Sequence, residues 1–193
     1  MANPTSLIGR VFGGYRLITQ FAKELAERLA GPQQPDPAGV YLAGLLHDVG
    51  KPVVGALLLE AEKLISDRPS ESSWINHNVW KRVVNGSHRR VGTALARKWN
   101  LPSEISGAIE ESSSYDPAVP TSFANLVCLA NAFAKQEGLY AGDVDRGQID
   151  DLVDKGKRLL GLSDETMAEL RTGLYQRVGT LLEFKPPVIK APA

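Results

Sequence analysis

The sequence has little of what several protein classes require. Only one of its 193 residues is cysteine, so no internal disulfide can form, and a reducing cytoplasm is the expected location. No run of 18 or more apolar residues is present, which argues against a membrane span, and the N-terminus lacks the basic segment and apolar run of a secretory signal. The formal net charge is zero, which argues against gross electrostatic attraction to nucleic acid.

Acidic residues are missing from one stretch of the chain. None occurs between Glu71 and Glu104, whereas six basic residues do: Lys81, Arg82, Arg89, Arg90, Arg97 and Lys98. Such a stretch is compatible with a solvated face that pairs with acids elsewhere in the fold. It is also compatible with an anion-binding surface, an alternative that matters because His88 lies within it.

Strand patterns are missing as well, since no segment alternates apolar and polar residues convincingly and no internal repeat is present. Apolar residues recur instead at three- and four-residue steps, which is typical of helices. The 43% hydrophobic content is sufficient for a core. We therefore predict an all-α fold, a bundle of about eight or nine helices forming one domain over residues 1–183, with a mobile tail at 184–193.

Caps and breakers predict the helix boundaries. Asp36 and Pro37 are typical of an N-cap and a first helical residue, and Gly50-Lys51-Pro52 is typical of a helix end. Asn85-Gly86 predicts a break between two helices, and Ser103 is a candidate N-cap. The predicted helical segments cover residues 7–29, 36–49, 53–65, 74–84, 87–99, 103–109, 123–134, 149–160 and 163–182.

The most informative segment for chemistry is the end of the second helix, where an imidazole and a carboxylate, His47 and Asp48, are adjacent. Neighbouring side chains on a helix point about 100° apart, but at a helix end the backbone can turn and bring both to one ion. Imidazole nitrogen and carboxylate oxygen suit zinc, iron or manganese, which could activate a bound water while Lys51 neutralises a phosphate. The pair could equally cap the helix, and the residues alone leave both interpretations open.

Two segments resemble a known family. The string Ala43-Gly44-Leu45-Leu46-His47-Asp48-Val49-Gly50-Lys51 resembles the core motif of the HD superfamily of metal-dependent phosphohydrolases. The string Gly86-Ser87-His88-Arg89-Arg90-Val91-Gly92-Thr93-Ala94-Leu95, followed by Trp99-Asn100-Leu101-Pro102, resembles the second signature of the HDOD branch. The resemblance covers residues 12–134. It implies a helical bundle with a buried metal-binding centre, and members often act as bacterial signalling or regulatory output domains.

The resemblance implies His47, Asp48 and His88 as metal ligands, but the remaining ligand positions depart from the family. The first helix contains no histidine, and the whole chain contains three. The pair of histidines that the family commonly places after Ile109 is replaced by Glu110-Glu111, and the last aspartate of active hydrolases is replaced by Asn131. A two-metal centre is therefore unsupported, and we expect one divalent ion (Mn, Fe, Zn or Mg) or none.

Two functions are compatible with these observations. The first is a non-catalytic HDOD-like signalling module that binds a partner protein or a small anionic ligand such as a nucleotide, with Lys51 and Arg89 as phosphate contacts. The second is a mononuclear metal-dependent phosphohydrolase acting on a nucleotide or phosphate ester, with Asp48 and Glu111 as its catalytic groups. A homodimer is compatible with both, because the apolar stripe of the last helix could pack on a second copy.

Overall fold

The computed structural model describes residues 4–29, 31, 34–66, 77–140 and 144–182, and every regular element in these ranges is a helix. The eight helices of this part of the chain are α1 (Pro4–Arg28), α2 (Pro37–Leu46), α3 (Gly50–Ser66), α4 (His77–Lys98), α5 (Ser103–Glu111), α6 (Phe123–Gln136), α7 (Arg146–Leu160) and α8 (Asp164–Leu182). The predicted all-α class and helix number are confirmed. The tail predicted at 184–193 lies outside the described residues.

The predicted break at Asn85-Gly86 is wrong, because α4 runs through both residues as one helix. A glycine inside a helix costs only about 1 kcal/mol relative to alanine, which packing can override. Two local features oppose a break. The Nδ1 atom of His88 donates to the carbonyl oxygens of Val84 and Asn85, at 3.1 and 3.0 Å, and α4 packs along α3.

Other boundaries differ from the prediction as well: α2 ends at Leu46 rather than at 49, and α7 begins at Arg146 rather than at 149. α3 begins at Gly50 rather than after Pro52, since a proline in the first turn has no intrahelical N–H bond to lose. The N-cap of α5 is Pro102, and Ser103 is its first helical residue, with its hydroxyl donating to Glu104 at 3.0 Å. The Asp36 N-cap is confirmed, because its carboxylate accepts from two backbone N–H groups at the start of α2.

α6 is the central helix and packs against α1, α2, α5 and α7. Residues 124–130 and 132–134 of this helix are all buried, whereas Asn131 and Lys135 are only partly buried. Phe21 of α1 stacks on Phe133 of α6 with ring centroids 4.4 Å apart, and both side chains are essentially inaccessible. Each such side chain contributes roughly 1.5–3 kcal/mol by leaving water. The core therefore lies between α1 and α6, with α8 closing it against α1.

α8 is fastened to the end of α6 by a buried ionic cluster. Arg171 donates to the carboxylate of Glu137 at 2.5 Å, and the Tyr175 hydroxyl donates to the second oxygen of the same carboxylate. The Glu137 side chain is only 5% exposed, so these contacts are shielded from solvent. The guanidinium of Arg171 also lies over the Phe133 ring, 5.3 Å from its centroid. This cluster positions α8 on the core.

The loop before α6 is held by one buried side chain, that of Asn125. Its Oδ1 accepts from the backbone N–H of Asp116 at 2.9 Å, and its Nδ2 donates to the carbonyl oxygens of Asp116, Val119 and Pro120 at 2.8, 3.0 and 3.1 Å. Asn125 is fully buried. It therefore substitutes for the hydrogen bonds that a regular element would supply to the loop.

The start of α3 packs on α4 at backbone distance. A Cβ atom placed on Gly50 would lie 1.8 Å from the carbonyl oxygen of His88 and 2.9 Å from the backbone nitrogen of Gly92. Only a residue without a side chain allows this approach. It brings the turn between α2 and α3 directly against the His88 region of α4.

Farther along α3, several leucines are exposed, including Leu57 and Leu64. By length and composition alone, the span Pro37–Leu64 is apolar enough to cross a membrane, although core helices of soluble proteins meet the same criterion. The expectation that the chain has no membrane span stays a prediction.

Candidate functional site

The candidate site is built at the junction of two helices. α2 ends at Leu46, His47 is its C-cap, and a three-residue turn leads to α3 at Gly50. Both His47 and Asp48 are buried, at 1% and 8% exposure. Because the turn packs against α4, these two side chains meet His88, which is also buried. The structure thus brings together the three residues that the sequence singled out as candidate ligands.

The Asp48 carboxylate lies between the two imidazoles. Its Oδ2 atom is 3.3 Å from Nε2 of His47, and its Oδ1 atom is 3.4 Å from Nε2 of His88. The two nitrogens therefore approach different oxygens of one carboxylate. The carboxylate, and not an open space between three donors, is the centre of the cluster.

The backbone fixes the orientation of both rings. Nδ1 of His47 bonds to the carbonyl oxygen of Gly44 at 2.7 Å, and Nδ1 of His88 bonds to the carbonyls of the preceding turn. A carbonyl oxygen only accepts, so each Nδ1 carries a proton that it donates to the backbone, and each Nε2 is directed to Asp48. Nε2 of His47 is buried and has no hydrogen bond of acceptable geometry, despite its 3.3 Å distance from Asp48.

Lys51 places a positive charge on the same carboxylate. Its Nζ atom is 2.5 Å from Oδ2 of Asp48, three residues earlier in the chain. Burial alone would raise the pKa of Asp48. The adjacent imidazoles of His47 and His88 and the charge of Lys51 outweigh that effect and hold the pKa well below its usual value. Asp48 is therefore an anion at any physiological pH.

α1 contributes Tyr15 to the surroundings of the cluster. Its ring centroid lies 6.0 Å from that of His47. Burial, followed by the negative charge of Asp48, raises the pKa of Tyr15 to about 12. The phenol is thus neutral, and α1 offers no imidazole at this position.

A second lysine, Lys135 of α6, lies within electrostatic range of the cluster. Burial, followed by the positive charge of Lys51, lowers its pKa, and Asp48 partly opposes the shift. Its ammonium lies over the Tyr140 ring, 5.2 Å from the centroid. Lys135 was not predicted from the sequence. Its position one helical turn after Asn131, on an otherwise buried helix, is the signal that could have identified it.

Arg89, predicted as a phosphate contact, is engaged within the fold. Its guanidinium donates to the carbonyl oxygen of Ile109 at 3.0 Å and to the Ser112 hydroxyl at 3.3 Å, joining α4 to the end of α5. Lys51, the other predicted contact, is bound to Asp48. Both cations therefore have internal partners.

The remaining candidate ligands do not complete a metal site. Glu111 is exposed, and Asn131 is partly buried on α6 with an amide rather than a carboxylate. Among the described side chains, no group of three or more His, Cys, Asp or Glu residues is placed to hold a metal ion. The buried Nε2 of His47 is the one ligand-like feature, but the Lys51 ammonium already occupies the Asp48 oxygen that it faces. The residues as arranged do not fit a metal.

A separate surface cleft, with a volume of about 560 Å³, lies where α4 ends and α5 begins. It is lined by Arg97, Asn100, Leu101, Ser103, Ser106, Gly107 and Glu110. None of these residues belongs to the cluster around Asp48. The cleft is therefore not the site that the sequence motifs mark.

Comparisons with known proteins agree with the fold. The solved structure of a candidate signal transduction protein from Marinobacter aquaeolei VT8 superposes with a TM-score of 0.59 at 24% identity, over 88% of this chain and 38% of that one. An HDOD domain protein of unknown function from Geobacter sulfurreducens gives 0.55 at 24% identity, over 91% and 63%. At these identities the likeness shows the fold alone.

A curated relative, an uncharacterized protein of Treponema pallidum (strain Nichols), is 28% identical over an alignment of 97 residues, and the match covers 46% of this chain and 19% of that protein. The chain thus spans less than two thirds of the length of each of these relatives. The HDOD domain family model matches residues 16–115, just over half of the chain. This match includes both motifs and His47, Asp48, Lys51 and His88, and on it the chain belongs to the HDOD domain family.

Proposed function

We propose that this chain is a non-catalytic regulatory domain that acts by binding an acidic partner protein through the exposed face of α4. The observation that carries the proposal is the contrast between two sets of basic groups. The cations of the Asp48 cluster are engaged with internal partners, whereas the cations on the outside of α4 face solvent. A signalling role is supported further by the description of the Marinobacter relative.

The α4 basic face consists of Arg82, Arg90 and Arg97, all exposed. At 100° per residue these positions fall within an arc of about 80° on one side of the helix. Two exposed valines, Val79 and Val83, lie on the same side. Arginines combined with apolar side chains are typical of protein interfaces.

The charge of this face is not neutralised locally. α4 contains no acidic residue over its whole length, and within the part of the chain that the structure describes the ion pair of this face is that of Arg97 with Glu110, at 3.6 Å. Both members of that pair are more than half exposed, so the pair contributes at most about 1 kcal/mol and can be exchanged for a partner's carboxylate. A partner with acidic side chains at helical spacing fits this face best.

The alternatives have less support. A small anion or nucleotide at Lys51 and Arg89 would have to displace the contacts to Asp48 and to the end of α5. A mononuclear phosphohydrolase would need His47, Asp48 and His88 to share one ion, and the described residues are not so placed. Its second catalytic candidate, Glu111, is exposed. The partner-binding function requires no rearrangement of the cluster.

The test is a charge reversal with a matched control. Arg82→Glu/Arg90→Glu changes the α4 basic face, and Arg146→Glu/Lys155→Glu makes the same change in net charge on the exposed side of α7. Partners are identified by quantitative co-purification with the wild type, and the reconstituted complex is then titrated at two salt concentrations. We expect the α4 variant to lose at least about tenfold in affinity, or roughly 1.4 kcal/mol, and the α7 variant to bind as the wild type does.

Two results would contradict the proposal. Equal affinity of both variants for the reconstituted partner would remove α4 from the interface. Turnover in a phosphatase and phosphodiesterase panel with manganese, abolished by Asp48→Asn, would establish the enzyme alternative instead.

A further inference from the structure

We infer that Lys51 is the resident cation of the Asp48 cluster and takes the place of a divalent metal, so that this centre is metal-independent. The inference rests on the proposed non-catalytic function and deepens it, because it assigns the retained motif a structural task. Three observations carry it: the geometry around Asp48, the need of a buried carboxylate for a cation, and the surplus of positive charge nearby.

The Lys51 ammonium lies at a carboxylate oxygen that a metal would also need. A zinc ion needs its nitrogen and oxygen ligands at about 2.0–2.2 Å, with all lone pairs directed at one position. Here the two Nε2 atoms face opposite oxygens of Asp48, and Nζ of Lys51 contacts Oδ2 at 2.5 Å, on the oxygen that His47 also faces. The ammonium therefore holds one of the positions that a metal would need.

A carboxylate in this location requires a cation. The Asp48 side chain is only 11% exposed, and an unpaired ion at such a site costs several kcal/mol. Lys51 is 28% exposed, so its stem can lie along the turn while the ammonium keeps some solvent contact. Lys51 also stands in the first turn of α3, where the helix dipole disfavours a positive charge. The ion pair with Asp48 is the interaction that accounts for a lysine at this position.

Additional positive charge opposes a divalent ion. Lys135 of α6 and Arg89 of α4 both act electrostatically on the same region, and the low pKa of Lys135 is in part the effect of Lys51. Lys51 and Lys135 thus both act on the one carboxylate of Asp48, and Arg89 acts on Lys135. A dication entering this field would meet repulsion rather than the excess of carboxylates that usually surrounds bound metals.

The experiment compares wild type, Lys51→Met and Lys63→Met after dialysis against EDTA, by elemental analysis and by thermal unfolding with and without MnCl₂ or ZnCl₂. Lys63 is the matched control, since it lies on the same helix and pairs with Glu60 at the same i,i+3 spacing, but both partners are exposed. We expect a metal-free wild type whose Tm responds to neither EDTA nor added metal. Lys51→Met should unfold roughly 4–10 °C lower, and Lys63→Met within about 2 °C of wild type.

Removal of the lysine should also open the cluster to a metal. MnCl₂ or ZnCl₂ is expected to raise the Tm of Lys51→Met, and a further Asp48→Asn substitution should abolish that response. If Lys51→Met does not fold, elemental analysis and the EDTA response of the wild type still decide the question.

Three results would overturn the inference. In the first, the wild type retains about one equivalent of metal and loses stability with EDTA. In the second, Lys51→Met is as stable as Lys63→Met. In the third, added MnCl₂ or ZnCl₂ changes the Tm of both lysine variants equally. Metal in the wild type together with unchanged partner binding and no turnover would refute the metal-independent centre alone. Metal together with turnover would refute the proposed function as well.

Discussion

The backbone contact at Gly50 offers the most severe test of how the site is assembled. In Gly50→Ala, the new methyl group would lie 1.8 Å from the His88 carbonyl oxygen and 2.7 Å from its carbon, both of them backbone atoms that cannot rotate away. A carbon and an oxygen in van der Waals contact are normally more than 3 Å apart, so α3 must move away from α4 by more than 1 Å.

The expected loss of stability has two parts. Overpacking of this kind costs about 1–3 kcal/mol by itself. The same movement separates the buried Asp48 carboxylate from His88, and leaving a buried charged group without one of its partners costs roughly a further 3 kcal/mol. A total of about 4–6 kcal/mol is a large part of the 5–15 kcal/mol by which domains are usually stable.

The assay is urea unfolding followed by circular dichroism, with Gly86→Ala and Gly107→Ala as controls. Both control glycines lie inside helices and have no atom within 4 Å of the added Cβ, so alanine should stabilise each by about 0.5–1 kcal/mol. Gly92→Ala, whose Cβ would meet the Cγ2 methyl of Ile109 at 2.9 Å, a side-chain rather than a backbone atom, should fall between these extremes. A Gly50→Ala protein within about 1 kcal/mol of wild type would refute the close approach of α3 and α4.

Three other predictions concern parts of the fold away from the cluster. Asn125→Ala should lower the free energy of unfolding by about 3–5 kcal/mol in urea titrations, because it leaves buried backbone groups of the 116–120 loop unpaired. The control Ser113→Ala, on the exposed loop surface, should change the free energy of unfolding by less than about 0.5 kcal/mol. Cys128 is 3% exposed, and burial raises the pKa of its thiol to about 11, so alkylation at pH 8 should proceed only through unfolding and should speed up with added urea. The pKa of the folded thiol lies above the unfolded value of about 8.5, so the thiol's contribution to stability is complete below pH 8.5 and is lost as the pH rises through 11. A Cys128→Ala protein with the same alkaline stability profile as wild type would contradict this. Glu137→Gln should weaken the contact between α6 and α8 by roughly 2–4 kcal/mol and increase hydrogen exchange in α8 more than in α3. An equal increase of exchange in α8 and α3 would argue against the Glu137 cluster as the anchor of α8.

Local sequence signals predicted the helices well because local interactions determine them. The Asp36 cap and the apolar periodicities depend on residues within a few positions of one another, and those elements are confirmed. The break expected at Asn85-Gly86 is absent, because packing on α3, the preceding helix, and the hydrogen bonds of His88 keep α4 continuous. A single glycine signal is too weak to oppose that packing.

The candidate site was predictable in its members but not in its arrangement. The motifs identified His47, Asp48 and His88, and the helix packing brings them together. That the two imidazoles face opposite oxygens of Asp48 depends on the angle between α4 and the turn, which no local pattern encodes. Lys135 could not be predicted for the same reason. It lies near Lys51, 84 positions earlier in the chain, because α6 packs against α2 and α5.

The stacking of Phe21 on Phe133 has a consequence for synthesis on the ribosome. The apolar side of α1 packs on α6 and α8, which are translated more than 100 residues later. At 5–20 residues per second, α1 emerges and waits on the order of ten seconds before α6 exists. α2 follows α1 directly and can pack on it early, but the face that Phe21 presents to Phe133 stays uncovered during that interval. The α3–α4 pair can likewise form soon after its synthesis, so the first helix to be made is among the last to be fully covered.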